Sequence, residues 1–191
     1  MRMWVGLCVV SLLTACGGGG GSADRPDRAL AADRLARQLA QDNIVDPGRL
    51  PNRGSARFAG FMNADLPLGA GGARERYIGD LALDVDFASD KGGVTGRADK
   101  FATRDGKALD GGLRVRGSTL FRKTDTDDNY SFAGRMGGKL RDGATPYTIA
   151  ADISGDFRGR DAAGVNGVIF GDINGPDGQD IFDGDFAARR K

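Results

Sequence analysis

Leu81-Ala82-Leu83-Asp84-Val85-Asp86-Phe87 is the stretch that decides the fold. Leu81, Leu83, Val85 and Phe87 alternate with Ala82, Asp84 and Asp86, the period of two of a β-strand with one dry face and one wet face. Tyr77 and Gly79 carry the dry face backwards. The pattern returns where Tyr147, Ile149, Ala151, Ile153, Gly155 and Phe157 alternate with Thr148, Ala150, Asp152, Ser154, Asp156 and Arg158. Weaker alternation over 57–62, 93–102, 112–120, 130–140, 164–173 and 180–188 brings the expected strands to eight. Turn formers separate them: Ser89 to Gly93, Arg104 to Lys107, Asp125 to Asn129, Asp142-Gly143 and Asn174 to Gly178.

Short antiparallel strands joined by short turns abolish their exposed edges by closing on themselves. The chain is therefore expected to be mainly β, an eight-stranded antiparallel up-and-down soluble β-barrel over 54–191. Glycine supports this, at 32 of 191 residues. Gly79, Gly96, Gly117, Gly134, Gly155, Gly167 and Gly184 fall inside the alternating runs, where they permit the coiling and close approach of a narrow barrel. The wet faces are expected to carry Asp80, Asp84, Asp86, Asp152, Asp156 and Arg158, which excludes a wall facing hydrocarbon.

One α-helix should precede the barrel within 24–46, because Ala29, Leu30, Leu35 and Leu39 recur at helical spacing. Pro26 suits its first turn and Asp46-Pro47-Gly48 stops it. Its expected role is a spacer or a plug packed against the domain, with partner binding as the alternative.

At the amino terminus, Arg2 and the short apolar run 3–13 read as an export signal. The run is too short to span a bilayer, which needs about 20 residues. Leu13-Thr14-Ala15-Cys16 resembles the lipobox of bacterial lipoproteins. The resemblance implies a signal peptide over 1–15, lipidation of Cys16 with palmitate-type acyl chains, and a glycine-rich tether over 16–23. Gly17 after the cysteine, by the same resemblance, points to the cell outer membrane. An ordinary secretory signal with a coincidental cysteine is the alternative.

Composition removes much chemistry. With no histidine there is no Ser-His-Asp triad, Cys-His pair or imidazole metal ligand. The lipobox resemblance implies that Cys8 leaves with the signal and Cys16 carries lipid, which would leave no free thiol for catalysis. We therefore expect no enzyme activity. The net charge of +1 comes from 27 cations and 26 carboxylates interspersed along the chain. No basic face stands out in the sequence, and no nucleic-acid partner is expected.

Three C-terminal stretches, Ile153 to Gly159, Ala163 to Ile169 and Ile181 to Arg189, look like the closing strands of the transferrin-binding protein B β-barrel. Tyr77-Ile78-Gly79-Asp80 resembles that family's aromatic-x-Gly strand opening. The likeness covers roughly 54–191. It implies an outer-membrane lipoprotein that binds a host or extracellular protein or a small ligand. The chain departs from the family in having one barrel with a single helix in place of a handle domain, so transferrin binding itself is not carried over. A structural envelope lipoprotein acting as a spacer is the alternative. A monomer is expected, and which side of the outer membrane the barrel faces stays open.

Asp125, Asp127 and Asn129 supply alternating oxygens of the kind a calcium loop uses, without its glycine, distal glutamate or flanking helices. A solvated hairpin loop accounts for them, as turn chemistry accounts for Asn174 to Asp180. Haem ligation would fall to Tyr77, Tyr130, Tyr147, Met62 or Met136, of which all but Met62 read as strand-interior core residues. No metal and no cofactor is expected. Asp84 and Asp86 share one wet face without a visible reason for a shifted pKa.

Overall fold

The computed structural model describes residues 24–123 and 130–191. The expected signal peptide, Cys16, the expected tether and the Asp125, Asp127 and Asn129 loop lie outside them. The helix α1 spans Asp24–Gln41. Eight strands follow: β1 Ser55–Leu66, β2 Glu75–Asp86, β3 Val94–Ala102, β4 Asp110–Leu120, β5 Phe132–Asp142, β6 Thr145–Arg158, β7 Gly164–Gly175 and β8 Gly178–Arg190. Each pairs antiparallel with the next, and β8 returns to β1 through Phe58 opposite Arg190 to Asp65 opposite Asp183, closing the barrel.

Alternation sorts the side chains as the pleat demands. Leu81, Leu83, Val85 and Phe87 are buried while Asp84 and Asp86 are exposed. Phe58, Met62, Tyr77, Phe101, Phe132, Phe157, Phe182 and Phe186 fill the interior. Phe157 is the hub of the aromatic packing, with ring centroids 5.8 Å from Phe58, 5.6 Å from Phe87 and 6.0 Å from Phe132. Such a narrow barrel is a packed core rather than a cup. Rings of this size fit because facing strands drop their side chains beside them. Gly155 lies opposite Gly167 on the inner face of β6 and β7, against the Phe186 ring. Gly117, at φ +59, forms the β4 bulge where the register with β5 shifts between Arg116 and Thr119.

The two rims differ. One is closed by Leu50, buried after the short helix Pro47–Arg49, and by Arg122. The Arg122 guanidinium donates to the carbonyls of Pro51 and Phe87 and to Asp90 at 2.9 Å, tying three segments of that rim together. The other rim carries the β1–β2 loop, the β3–β4 connection and the tight β5–β6 and β7–β8 turns.

Helix α1 is not a plug. It lies on the outer wall, contacting β8, β7, β1 and β2. Leu39 is fully buried in the space left by Gly164, and the Arg28 guanidinium reaches Asp80 at 2.6 Å and the Lys100 carbonyl at 2.8 Å.

Three expectations are corrected in detail. Tyr130 precedes β5 and is 36% exposed instead of lying within a strand. Met62 is mid-strand and fully buried, because β1 continues to Leu66. Asp156, on the outward face of β6, is buried and accepts hydrogen bonds from the Ser131 amide at 2.9 Å and the Ser131 hydroxyl at 3.1 Å.

Charges interspersed in sequence also segregate in space. Arg97, Arg114, Arg116, Arg135, Lys139 and Arg141 are all exposed on the outer face of β3–β5, with Arg97 opposite Arg114 and Arg116 opposite Arg135. Asp152, Asp172 and Asp183 occupy the outer face of β6–β8, beside exposed Val168, Phe170 and Ile181. The sequence suggested no basic face; strand pairing builds one.

Candidate functional site

With the interior filled, the concave surface lies on the rim. A cleft of about 510 Å³ opens there, lined by Leu68 and Gly69 of the β1–β2 loop, Tyr147 and Ile173 of the wall, Asp177 of the β7–β8 turn and Asp180 at the start of β8. The loop holds its shape through its own backbone: the Gly69 amide donates to the Ala73 carbonyl at 2.8 Å and the Gly72 amide to the Gly69 carbonyl at 3.0 Å. Gly71 and Gly72 take the left-handed conformation, at φ +67 and +79, that this turn needs. The edge of the Tyr147 ring abuts Gly175, where a Cβ would come within 2.6 Å of it.

On the same rim, Glu75 at the start of β2, Lys107 of the β3–β4 connection and Asp142 at the end of β5 converge. The Lys107 ammonium lies 3.2 Å from Glu75 and 3.0 Å from Asp142, and the Tyr77 hydroxyl donates to Glu75 at 2.9 Å. Thr103 positions Lys107, its Oγ1 accepting from the Lys107 amide at 3.0 Å. Burial, reinforced by the bond to Glu75, pushes the Tyr77 phenol up to about 12. The ion pair with Asp142 leads the contacts that raise Lys107 above its ordinary value. Both groups are held protonated at neutral pH, so neither is poised to exchange a proton there. Asp177 and Asp180 leave the rim acidic, suited to polar or cationic groups of a ligand.

No family model and no curated protein matches this chain. The functional reading therefore rests on the geometry and on the resemblance of its short motifs.

The residues singled out in the sequence scatter over the molecule. Met62 and Met136 are buried in the core, and Tyr77 is buried with its hydroxyl engaged by Glu75. Of the tyrosines considered for haem, Tyr147 is the one that lines the cleft. Asp84 pairs with Arg57 at 3.1 Å on the outer wall. Asp86 caps a turn, accepting from the Ala88 amide and the Ser89 hydroxyl, and these bonds lower its pKa. Among the described residues no three acidic side chains gather to hold a metal ion. No described helix is long and apolar enough to cross a membrane. The cluster of Glu75, Lys107 and Asp142 was missed because its members stand at strand ends far apart in sequence. The signal that could have found them is topological: two strand ends and one connection, all at one rim of an up-and-down barrel.

Proposed function

We propose that this chain is an outer-membrane-anchored lipoprotein, held through Cys16, whose barrel is a binding module for a protein or small ligand. The observation that carries the reading is the rim cleft of about 510 Å³ standing over a filled interior. A rigid closed barrel presents such loops in fixed geometry, and loops on a rigid scaffold are where binding residues concentrate. The protonated Tyr77 and Lys107 favour binding over proton-transfer chemistry. The resemblance to transferrin-binding protein B supplies the class of partner, a host or extracellular protein or a small ligand.

Capture from serum and from growth medium tests the reading, with the mature lipoprotein in detergent as bait. The control is the double variant Asp177→Lys/Gln179→Lys, which alters exposed rim side chains away from the core. A component retained by the native protein and lost with the variant supports the rim as the binding face. Equal retention by both, or retention of nothing, favours the spacer.

A further inference from the structure

We infer that the β3–β5 wall is a docking surface for anionic lipid headgroups, which lays the barrel sideways on the membrane that holds its anchor. The inference rests on the lipid-anchor reading and adds an orientation to it.

Three observations converge. First, the wall carries Arg97, Arg114, Arg116, Arg135, Lys139 and Arg141, against the outward carboxylates Asp99, 3.5 Å from Arg97, and Asp110, opposite Arg141, with Asp152 of β6 opposite Arg135 at its edge. Among the described residues, Arg114, Arg116, Arg135, Lys139 and Arg141 form no ion pair. Like charges directly opposite each other across a strand pair are destabilising, so Arg97 facing Arg114 and Arg116 facing Arg135 do not serve the barrel's own stability.

Second, the cations surround hollows shaped for small anionic groups. Gly112 and Gly137 stand at outward positions between them, leaving a trough of about 410 Å³ flanked by Arg114, Arg116 and Arg135. A second hollow of about 390 Å³ lies between Arg97, Arg114 and Arg116, with Asp84, itself paired with Arg57 at 3.1 Å, on its β2 side. Guanidinium forks match phosphate oxygens two at a time.

Third, the first turns of α1 lie beside this wall. Arg28, in the first turns of α1, is fixed to Asp80 of β2 and to the Lys100 carbonyl of β3, the strand that borders the basic face. Cys16 is eight residues before the helix start at Asp24. At no more than ~3.4 Å per residue, an anchor there keeps the membrane within about 27 Å of that point. A wall of cations held so close to phosphate-bearing headgroups gains roughly fivefold in partitioning for each Lys or Arg at the surface.

The test places the mature lipoprotein on vesicles of phosphatidylcholine alone, or with roughly one-third phosphatidylglycerol as the anionic lipid. An amine-acylating reagent reads Lys139 on the wall against Lys191 at the exposed carboxyl terminus. The expected result is flotation with both vesicles, but Lys139 labelled at least about fivefold more slowly on the anionic ones, with Lys191 unchanged. The protection should vanish at about 1 M salt, where the Debye length is about 3 Å, and in the folded variant Arg114→Gln/Arg135→Gln. Flotation with both and equal labelling overturns the docking surface while leaving the anchor intact. Salt-sensitive flotation with the anionic vesicles alone supports the docking surface and overturns the anchor. Flotation with neither overturns both, and protection of Lys139 by duplex DNA but not by vesicles reassigns the wall to nucleic acid.

Discussion

Gly167→Ala is the most searching test of the packing. Gly167 faces the barrel interior from β7, opposite Gly155 of β6. A Cβ at this position would collide with the Ser154 carbonyl oxygen and come within 2.6 Å of the Gly155 Cα and 2.7 Å of the Phe186 ring. Two of these neighbours are backbone of the paired strand, so relief requires β6 and β7 to separate or the ring to leave its place. Overpacking of this kind costs typically 1–3 kcal/mol and occasionally more, and the backbone contacts put this site at about 3 kcal/mol. For a barrel of this length that lowers Tm by about 10 °C. Gly137→Ala is the internal control. It faces outward on β5, and its Cβ would meet nothing nearer than the Ile149 carbonyl oxygen at 3.1 Å. It should be neutral within about 1 kcal/mol, since alanine also restricts the unfolded chain. Urea unfolding with matched m-values measures both. If Gly167→Ala lies within about 0.5 kcal/mol of the native protein, the argument that glycine is there to admit Phe186 fails.

Three further outcomes follow from the same geometry. Leu39→Ala empties the contact between α1 and Gly164 and should cost about 2–3 kcal/mol, with hydrogen exchange rising across α1 before the strands if the helix is a docked strut. Arg122→Met removes the guanidinium that binds the Pro51 and Phe87 carbonyls and should cost about 2 kcal/mol in denaturant unfolding. Tyr77 favours its protonated form when folded, with a pKa of about 12 against 10.0 in the free side chain. Its contribution is therefore complete below pH 10 and is lost as the pH rises from 10 towards 12. Tyr77→Phe should lose less stability over that interval than the native barrel, as read by thermal unfolding at successive pH values.

How much of this was legible follows from the range of each interaction. The strand from Leu81 to Phe87 could be read because its pleat is recorded residue by residue. The mid-strand glycines could be read because they interrupt apolar runs rather than turns. The end of β1 was lost where Ala64 gives the inward face too little bulk to stand out between Asn63 and Asp65. Asp156 looks like any wet-face carboxylate until Ser131, 25 residues away, is brought over it. The helix was legible as a helix, but its place on the outer wall depends on Leu39 meeting Gly164 far along the chain. The basic wall was the largest omission, because only the register that sets Arg97 against Arg114 and Arg116 against Arg135 gathers those charges. The rim cluster was invisible for the same reason, since Lys107 meets Glu75 and Asp142 only after the barrel closes.

The lipid anchor at Cys16 decides where the barrel works, and the mass of the mature amino-terminal peptide tests it most directly. The protein is recovered from the membrane fraction of its native host and digested, and its first peptide is weighed. The account predicts a peptide that begins at Cys16 and carries acyl chains, together with loss of the Cys16→Ser protein from that fraction. A mature chain that begins elsewhere, or an unmodified Cys16 thiol, contradicts it.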